Sequence, residues 1–570
     1  MNIVLLVCVI LLAGFEAEAL SYDYSVSIEC LPKPLKPLYN GGIIQNPELN
    51  DGLHGWEAFG NAKIQHRESL GNKYVVAHNR DHPFDSVSQK IYLRKGLHYS
   101  LSAWIQVSEN NVPVKAVIKT NNGYKFGGAI YGESNCWSML KGGLIADTTG
   151  VAELYFESNN TSVEIWIDNV SLQPFTKKEW MSHQQESIEK ARKSNVRLQA
   201  VDEKGEPLRN TTISMKMNRL AFPFGSAMSK EILQNSAYQN WFASRFTVAT
   251  FANEMKWYTN EYAQGKDNYY EADAMLNFAN THNIQVRGHN VLWDDPNYQP
   301  SWVPQLSPQQ LQQAVQRRVN SVVERYKGKL IAWDVVNENL HFSFFENKLG
   351  KYYFAKIFND VHKIDGEATL FLNEYNTIED QRDTSSAPSK YIQKIREIRR
   401  LNNNLPLGIG LESHFPNTPP NLPYMRASLD TLVATGLPVW ITEIDVADQP
   451  NQAWYFEEVL REAHSHHGVR GIVMWTAWSP QGCYRICLVD NNFKNLPGGD
   501  VVDKLIAEWG KGHLAMTTDQ NGFLEASLFH GDYEIEVSHP TKKNISLTHN
   551  IKVLPKDETE KTQQFIQLSV

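Results

Sequence analysis

The arrangement of apolar and polar positions divides the chain into stretches of different periodicity. Between about residues 40 and 175, short segments alternate apolar and polar residues and are separated by turns rich in Gly, Asn and Asp. Segments such as KYVVAHN, HYSLSAWIQV and SVEIWIDNVSLQPF have the period of two that is typical of strands. Several strands at this spacing predict an antiparallel all-β sandwich over residues 40–175.

From residue 222 to 512 the pattern alternates between buried strands and helices. The predicted strands are FPFGSAM, RFTVATF, NIQVRGHNVLW, LIAWDVVNE, ATLFLNEYN, LGIGLESHF, LPVWITEID and GIVMWTAW. Helical patterns such as SPQQLQQAVQRRVNSVVERY lie between them. Eight such strands over about 290 residues predict a (β/α)8 TIM barrel. A doubly wound open sheet is the alternative, but no Gly-rich phosphate loop follows the first strand.

The remaining segments are shorter. Residues 20–39 form a Pro-rich leader, and residues 176–221 predict a linker helix followed by a strand pair. Residues 513–570 alternate again and predict a small strand-rich C-terminal extension, which is either a sheet of its own or a partner for residues 196–220. The sequence therefore predicts a multidomain protein.

The first 19 residues predict a secretory signal peptide. An apolar core too short to span a bilayer comfortably precedes Ala17-Glu18-Ala19, which fits a small-x-small cleavage site. No later stretch is long and apolar enough for a membrane helix, so we expect a secreted, extracellular or cell-wall protein. The formal charge of -8 excludes nucleic acid as a main partner, since no run of Lys and Arg contradicts it.

Cysteines and glycosylation sequons agree with an oxidising compartment. Cys8 lies in the predicted signal, and the four remaining cysteines allow three pairings. Cys483 and Cys487 are close enough to bridge locally, which leaves Cys30 with Cys136. A zinc site is the alternative, but no second close Cys or His pair has ligand spacing. The candidate glycosylation sites are Asn159, Asn160, Asn210 and Asn544, whereas Asn169 falls inside a predicted strand.

Two glutamates stand where a buried strand should close on a packed apolar residue. Glu338 ends IAWDVVNE, and Glu443 ends the apolar run of LPVWITE. Because an ionised group is costly to bury without partners, both are expected to point into one polar cleft. In a barrel that cleft lies at the C-terminal ends of the strands, where His289, Asn337 and His414 also fall. Paired carboxylates across a cleft are the groups that cleave a glycosidic bond.

The motifs WDVVNE and ITEID, on the predicted fourth and seventh strands, resemble glycoside hydrolase family 10, the retaining endo-β-1,4-xylanases. Further motifs of that family stand in order, namely NEMKW, RGHNVLW, LNEYN, GLESHF and VMWTAW, which begin at positions 253, 287, 372, 410 and 473. WDVVNENLHF, LWDDP and SPQGCYRICLVDNNFKNLPGGD look most like the plant members. The resemblance covers the whole predicted barrel and implies the same fold and reaction.

The resemblance implies a role for each cleft residue. Glu338 matches the acid/base, which must be protonated at rest, and Glu443 matches the nucleophile, which must be ionised. Retaining enzymes hold this pair about 5–5.5 Å apart. Asn337 is expected to bond the sugar 2-hydroxyl. His414 and Asp445 are expected to form a hydrogen-bonded chain that keeps Glu443 ionised and oriented.

Other positions match residues that contact sugar in the family. They are Asn253, Lys256, His289, Trp293, Tyr375, Glu412, Trp475 and Trp478. Trp293 and Trp475 match the aromatic walls, although core packing is the alternative for every Trp. Tyr375 is expected at the rim, with the shaping of a loop as its alternative.

Two positions depart from the family pattern. The family commonly has Glu before Asn253, where this chain has Ala252, and the change removes a carboxylate that usually bonds sugar hydroxyls. The family often has Gln at position 412, where this chain has Glu412, a change that plant-like members share. A third carboxylate near the catalytic pair is expected to raise a pKa.

Within the predicted sandwich, NGGIIQNPELNDGLHGW, YSLSAWIQV and IWIDNVSLQPF resemble a family 22 carbohydrate-binding module. The candidates for its sugar face are Arg80, Phe84, Tyr131 and Glu133. A Trp often occupies the position of Phe84 in that family. For Phe84 and Tyr131, core packing is an equal alternative.

These observations predict a secreted endo-1,4-β-xylanase that cleaves cell-wall xylan by double displacement. We expect xylan as the partner, no metal or organic cofactor, no membrane attachment after signal removal, and a monomer. One alternative is a xylan endotransglycosylase that uses the same covalent intermediate. The others are a weakly active or inactive wall-binding protein and a related retaining barrel that acts on β-glucans.

Overall fold

The computed structural model describes residues 20–475, 477–539, 546–555 and 564–569. The predicted signal peptide, residues 1–19, and the candidate glycosylation site Asn544 lie outside the described residues.

The N-terminal part is a sandwich of two five-stranded sheets. Its strands are β1 (Glu57–Phe59), β2 (Lys63–Ser69), β3 (Asn72–His78), β4 (Ser86–Leu93), β5 (His98–Val107), β6 (Val112–Thr120), β7 (Gly123–Gly132), β8 (Ser138–Ile145), β9 (Gly150–Glu157) and β10 (Ile165–Phe175). One sheet has the order β1-β4-β9-β6-β7 and the other β2-β3-β10-β5-β8, and every pairing is antiparallel. The predicted all-β sandwich is confirmed.

Alternating side chains of the two sheets meet in one apolar core. A second, smaller cluster lies on the outer face of the sheet that contains β3, β5, β8 and β10, and includes Trp104 and Trp137. The Pro-rich leader packs on this cluster through Val26, Leu31 and Leu38. The leader is therefore a cover for an otherwise exposed apolar face.

Helix α1 (Lys177–Ala191) follows the sandwich. Its N-terminus is closed by a capping box, in which Thr176 accepts from the N–H of Glu179 and the Glu179 side chain accepts from the N–H of Thr176. Strands β11 (Lys193–Val201) and β12 (Thr212–Leu220) come next.

The central part is a closed barrel of eight parallel strands, as predicted. Its strands are β13 (Phe224–Met228), β14 (Val248–Phe251), β15 (Gln285–Trp293), β16 (Ala332–Asn337), β17 (Thr369–Glu374), β18 (Leu407–Leu411), β20 (Val439–Val446) and β21 (Val469–Met474), with the two-residue strand β19 (His414–Phe415) beside β20. Strand β21 pairs with β13 and closes the ring.

Helices surround the barrel. They are α2 (Ser236–Ala243), α3 (Trp257–Asn260), α4 (Tyr270–Thr281), α5 (Pro308–Tyr326), α6 (Phe344–Leu349), α7 (Tyr353–Ile364), α8 (Pro388–Leu401), α9 (Leu422–Val433), α10 (Gln452–Ser465) and α11 (Pro497–Ile506). Short 3-10 helices span Leu38–Gly41, Lys230–Leu233 and Pro296–Tyr298, and a π-helical turn spans Ala507–Lys511. Within the described ranges, no helix has both the length and the apolarity needed to cross a membrane.

The last strands are β22 (His513–Thr517), β23 (Phe523–Phe529), β24 (Gly531–Ser538), β25 (Ser546–Val553) and β26 (Gln564–Ser569). They pair with the two strands that precede the barrel, in sheets of order β23-β11-β26 and β22-β12-β24-β25. Of the two arrangements that the sequence left open, the C-terminal strands therefore form a joint unit with β11 and β12.

The sandwich packs directly on the barrel through β8 and α9. Lys141 Nζ lies 2.7 Å from Asp430 Oδ2, and both side chains are fully buried. Asp430 also accepts a hydrogen bond from the Tyr22 hydroxyl at 2.8 Å and lies 2.9 Å from His466 Nε2. A Cβ on Gly143 would lie 2.5 Å from Pro423 Cβ, so the absence of a side chain allows β8 to approach α9.

Candidate active site

The C-terminal rim of the barrel brings the two glutamates into one polar cluster. Glu338 directly follows β16, and Glu443 lies within β20. Their exposed fractions are only 8% and 4%, so their ionisation depends on the neighbouring groups.

Asn373 connects the members of this cluster. From β17, its Nδ2 donates to Glu443 Oε1 at 2.9 Å, to Glu412 Oε1 at 3.1 Å and to Asn337 Oδ1 at 3.0 Å. Its own Oδ1 accepts from the Thr442 hydroxyl at 2.5 Å. The sequence reasoning missed Asn373, although a polar residue inside the buried run TLFLNE was the same signal that revealed the glutamates.

Imidazole nitrogens lie close to both carboxylate oxygens of Glu443. His289 Nδ1 lies 3.8 Å from Oε1, and His414 Nε2 lies 3.6 Å from Oε2. Burial would raise the pKa of Glu443, but His289, His414 and Lys256 together hold it below the usual value. Glu443 is therefore ionised at neutral pH, which is the state that a nucleophile requires.

Glu338 has the opposite environment. Burial raises the pKa of Glu338 to about 8, the charges of Glu374, Glu443 and Asp295 add to the increase, and the nearby Trp293 indole opposes it. Glu338 is therefore largely protonated at neutral pH and can donate a proton.

Behind Glu443, His414 Nδ1 lies 3.1 Å from Asp445 Oδ1, and Arg485 Nε lies 2.7 Å from the same oxygen. Burial would lower the pKa of His414, but Asp445 and Glu443 raise it to about 10. The sequence placed His414 and Asp445 beside Glu443, and the structure brings the three together. It adds Arg485, which the Cys483–Cys487 disulfide loop carries.

Glu412 is the third carboxylate of the cluster. Burial raises the pKa of Glu412 well above the usual value, and the charges of Glu443 and Glu338 raise it further. Ligand atoms of Glu412, His414 and Glu443 lie within 4.8 Å of one another, a spacing that could hold a metal ion. Protonated His414 also balances the negative charge of Glu443 within this cluster.

Lys256 lies between the two predicted aromatic walls. Its Nζ lies 4.7 Å from the ring centroid of Trp293 and 5.4 Å from that of Trp475. The His289 ring lies 5.2 Å from the Trp475 ring, and the Trp293 ring stacks on Tyr298 at 4.0 Å. These side chains form a partly aromatic wall beside Glu443 and Glu338.

A cavity of about 530 Å³ continues from this wall. Ala252, Asn253 and Trp475 are among the residues that line it. Trp478 also borders it, but the ring is buried against Tyr238 and donates from Nε1 to Asn491 at 2.9 Å, so core packing dominates. The small side chain of Ala252 leaves this part of the cleft open.

Tyr375 lies at the start of the loop that follows β17. Its ring stacks on His341 with centroids 3.9 Å apart. The imidazole of His341 lies between Glu374 and Asp383. The sequence reasoning missed His341, which stands in the quoted motif WDVVNENLHF.

In the sandwich, the expected sugar-face role of Arg80 is corrected. Its side chain is buried and donates to the backbone carbonyls of Asp85, Asn160, Val163, Pro83 and Ser158. Every donor group of the guanidinium is occupied, so Arg80 stabilises loops and is not available to a sugar.

The other three sandwich candidates lie at the surface to different extents. Phe84 is exposed and stacks on His82 at 5.1 Å. Glu133 is half-buried at the end of β7. Tyr131 is half-buried against the barrel, because its N–H donates to Ser389 Oγ at 3.1 Å and Lys390 Nζ lies 5.1 Å from its ring centroid.

Both predicted disulfides are confirmed, with Cys30 bonded to Cys136 and Cys483 to Cys487. Among the sequons, Asn159 and Asn210 are exposed and Asn160 is half-buried. Asn169 lies within strand β10, as predicted, where it is buried and donates to the Leu35 carbonyl.

Comparison with known proteins gives consistent matches along the chain. Residues 214–497 match the family described as Glycosyl hydrolase family 10, and residues 41–162 match the family described as Carbohydrate binding domain. Endo-1,4-beta-xylanase 5 of Arabidopsis thaliana is 40% identical over 552 residues, which cover 95% of this chain and 94% of the relative. Endo-1,4-beta-xylanase 4 of the same plant is 37% identical over 559 residues, which cover 95% and 93%.

Among solved structures, xylanase 10B from Thermotoga petrophila RKU-1 in complex with xylobiose aligns with a TM-score of 0.45 and 22% identity. The alignment covers 50% of this chain and 94% of that chain.

Proposed function

Because this chain belongs to glycosyl hydrolase family 10 and carries a carbohydrate-binding domain, we propose that it is a secreted, retaining endo-1,4-β-xylanase of cell-wall xylan. In this proposal, residues 222–512 are the catalytic domain and residues 40–175 the carbohydrate-binding domain. The protein acts as a monomer and needs no metal or organic cofactor, since two carboxylates suffice for the reaction.

In the first step, the Glu443 carboxylate attacks the anomeric carbon while Glu338 donates its proton to the glycosidic oxygen. The bond between the anomeric carbon and that oxygen breaks, and the leaving chain departs with the proton. A covalent glycosyl ester remains on Glu443.

In the second step, Glu338 is ionised and accepts a proton from water as the water oxygen attacks the anomeric carbon. The ester bond breaks, which restores the Glu443 carboxylate and the Glu338 carboxylic acid. Two displacements at the same carbon retain its configuration.

The opposite ionisation of the two buried glutamates is the observation that carries this proposal. Carboxyl groups whose surroundings move their pKa values apart, here upward for Glu338 and downward for Glu443, are suited to separate acid and nucleophile roles. Asn373 supports the nucleophile by donating to Glu443 Oε1. Asn337 accepts from the same amide and is held for contact with the sugar.

Two further features support xylan and secretion. Lys256, His289 and Trp475 match family residues that favour xylose, which lacks the hydroxymethyl group of glucose, and Lys256 Nζ lies 4.7 Å from the Trp293 ring centroid and 5.4 Å from that of Trp475. The two disulfides favour an oxidising compartment outside the cytosol.

Isosteric substitution of each glutamate tests the proposal. Glu338→Gln should reduce the release of reducing ends from xylan by roughly 10²- to 10⁴-fold, because proton transfer to the leaving group is lost. Glu443→Gln should remove activity, because no covalent intermediate forms. The matched control is Glu324→Gln, at an exposed position on α5, which should keep full activity. Undiminished activity of either cleft variant would contradict the mechanism.

Substrate panels separate the alternative functions. Initial rates on xylan, glucomannan and β-glucan should favour xylan, and a preference for β-glucan would reject the substrate assignment. A labelled xylan-oligosaccharide acceptor distinguishes hydrolysis from transfer, because a transglycosylase incorporates the label into long products.

A further inference from the structure

The loop between β17 and α8, residues 375–387, reaches from the cleft to the sandwich. At its start, Tyr375 stands next to the catalytic cluster, where burial and then the charge of Glu338 raise the pKa of its hydroxyl. Near its end, Thr384 stands beside the Tyr131 side chain of the sandwich and lowers the pKa of the Tyr131 hydroxyl, against the increase from burial. Ser389, at the start of α8, accepts the Tyr131 N–H at 3.1 Å. The sandwich therefore contacts the segment that borders the cleft.

His341, which stands in the neighbouring loop after β16, lies between two carboxylates. Its Nδ1 lies 2.5 Å from Glu374 Oε1, and its Nε2 lies 2.8 Å from Asp383 Oδ2. Burial would lower the pKa of His341, but Asp383 and Glu374 raise it to about 10. The imidazolium thus connects the loop after β16, where His341 stands, to Asp383 in the loop after β17.

Glu374 also binds the backbone near Glu338. Its Oε2 accepts the N–H of Leu340 at 2.7 Å. Glu338 itself has a φ of 58°, a left-handed conformation that is unfavourable for a residue with a side chain. Such a conformation persists only where the surrounding bonds impose it. Here they include the Glu338 N–H to the Asn373 carbonyl at 2.9 Å and the Leu340 N–H to Glu374.

We propose that His341, held between Glu374 and Asp383 and supported from the sandwich by Tyr131, is a positioning residue for Glu338. This inference rests on the proposed role of Glu338 as the acid/base. It also gives the sandwich a second role, because its docking stabilises the loop that holds the acid. That role requires no sugar on the sandwich.

The test uses the full chain and two short substrates, phenyl β-xylobioside and 2,4-dinitrophenyl β-xylobioside. Phenolate is a basic leaving group that needs a proton from Glu338, whereas 2,4-dinitrophenolate leaves with little assistance. A residue that acts through the acid therefore affects the first substrate more than the second. A general loss of folded enzyme lowers both rates equally.

His341→Phe keeps a ring to stack on Tyr375 but has no donor for either carboxylate. We expect kcat/KM to fall by roughly ten- to hundredfold on phenyl β-xylobioside and by about twofold on the dinitrophenyl substrate. Tyr131→Ala should also affect the phenyl substrate more than the dinitrophenyl substrate. We expect its kcat/KM on phenyl β-xylobioside to fall by about three- to tenfold. Tyr131→Phe, which keeps the ring and loses only the hydroxyl, should recover part of it.

Tyr124→Ala is the matched control, since Tyr124 stands at the other end of β7 and is 56% exposed. It should leave both rates unchanged, and thermal unfolding of each variant reports its folding. If His341→Phe does not fold, Asp383→Asn and Tyr131→Ala still test the proposal.

The outcomes separate the two proposals. A wild-type chain without activity on either xylobioside overturns the proposed function and the positioning role with it. An active wild type whose His341 and Tyr131 variants keep their rates, or lose the same factor on both substrates, overturns the positioning role alone.

Discussion

The buried ion pair between Lys141 and Asp430 tests quantitatively how firmly the sandwich is attached to the barrel. Lys141→Met keeps an apolar side chain of similar length and removes Nζ, which lies 2.7 Å from Asp430 Oδ2. Asp430 then stays buried with Tyr22 and His466 as its remaining side-chain partners. The variant therefore removes the cation across the interface together with its hydrogen bond to the Asp23 carbonyl at 2.8 Å.

The expected cost follows from the ionisation of Asp430. Burial would raise its pKa, but Lys141 and then His466 lower it from the usual 3.8 to about 2. This difference corresponds to roughly 2 kcal/mol. Removing one partner of a buried pair commonly costs about 3–5 kcal/mol, and the two remaining partners reduce that figure here. We expect the free energy of unfolding to fall by about 2–4 kcal/mol.

The pH dependence has a defined sign. Because the folded-state pKa of Asp430 is lowered, its stabilising contribution is complete above about pH 4 and disappears as the pH falls through about 2. The difference between wild type and Lys141→Met should therefore be full at pH 7 and smaller at pH 3.

Urea unfolding of the full chain, followed by tryptophan fluorescence, measures the effect. Lys95→Met at an exposed position is the control. The double variant Lys141→Met/Asp430→Asn should recover part of the loss, because it removes the unpaired carboxylate charge and keeps an amide oxygen that can accept from the Tyr22 hydroxyl. A cost below about 0.5 kcal/mol, as for an exposed pair, or a double variant no more stable than the single one, would refute the reasoning.

Three further results are expected. The kcat/KM on xylan oligosaccharides should fall above about pH 8, where Glu338 loses its proton. It should persist below pH 4.5, because the pKa of Glu443 is lowered. A loss of activity on the basic side that begins below pH 6 would contradict these assignments. Asn373→Ala should lower kcat by about ten- to hundredfold through loss of the bond to Glu443, and a change within twofold would count against it. Arg80→Met should destabilise the sandwich by about 3 kcal/mol or more in thermal unfolding, whereas exposed Arg94→Met should not.

Local patterns of apolar and polar residues predicted most of the fold. Apolar runs of strand length between amphipathic helices predicted all eight barrel strands, and alternation predicted the sandwich. The same reasoning identified Glu338 and Glu443, because a carboxylate at the end of a buried strand conflicts with its surroundings. Cysteine spacing predicted both disulfides.

Sequence patterns did not reveal the role of residues whose partners are distant along the chain. Arg80 looked available to a sugar, yet its donors meet carbonyls up to 83 positions away. Asn373 lies 70 positions from the carboxylate that it orients. The partners of His341 follow it by 33 and 42 positions. The periodicity of apolar and polar residues contains no information about such pairings.

The sequence by itself determined the secondary structure, the barrel and the identity of the two carboxylates, because these depend on side-chain polarity repeated at short intervals. The resemblance assigned the protonated state to Glu338, but only the tertiary structure supplies its physical cause, since burial and the charges of Glu374, His289 and His414 come from separate strands. The tertiary structure alone decided that the sandwich docks on the barrel, where Lys141 meets a partner 289 positions away. Electrostatic free energies depend on distance and burial in space, and folding sets both.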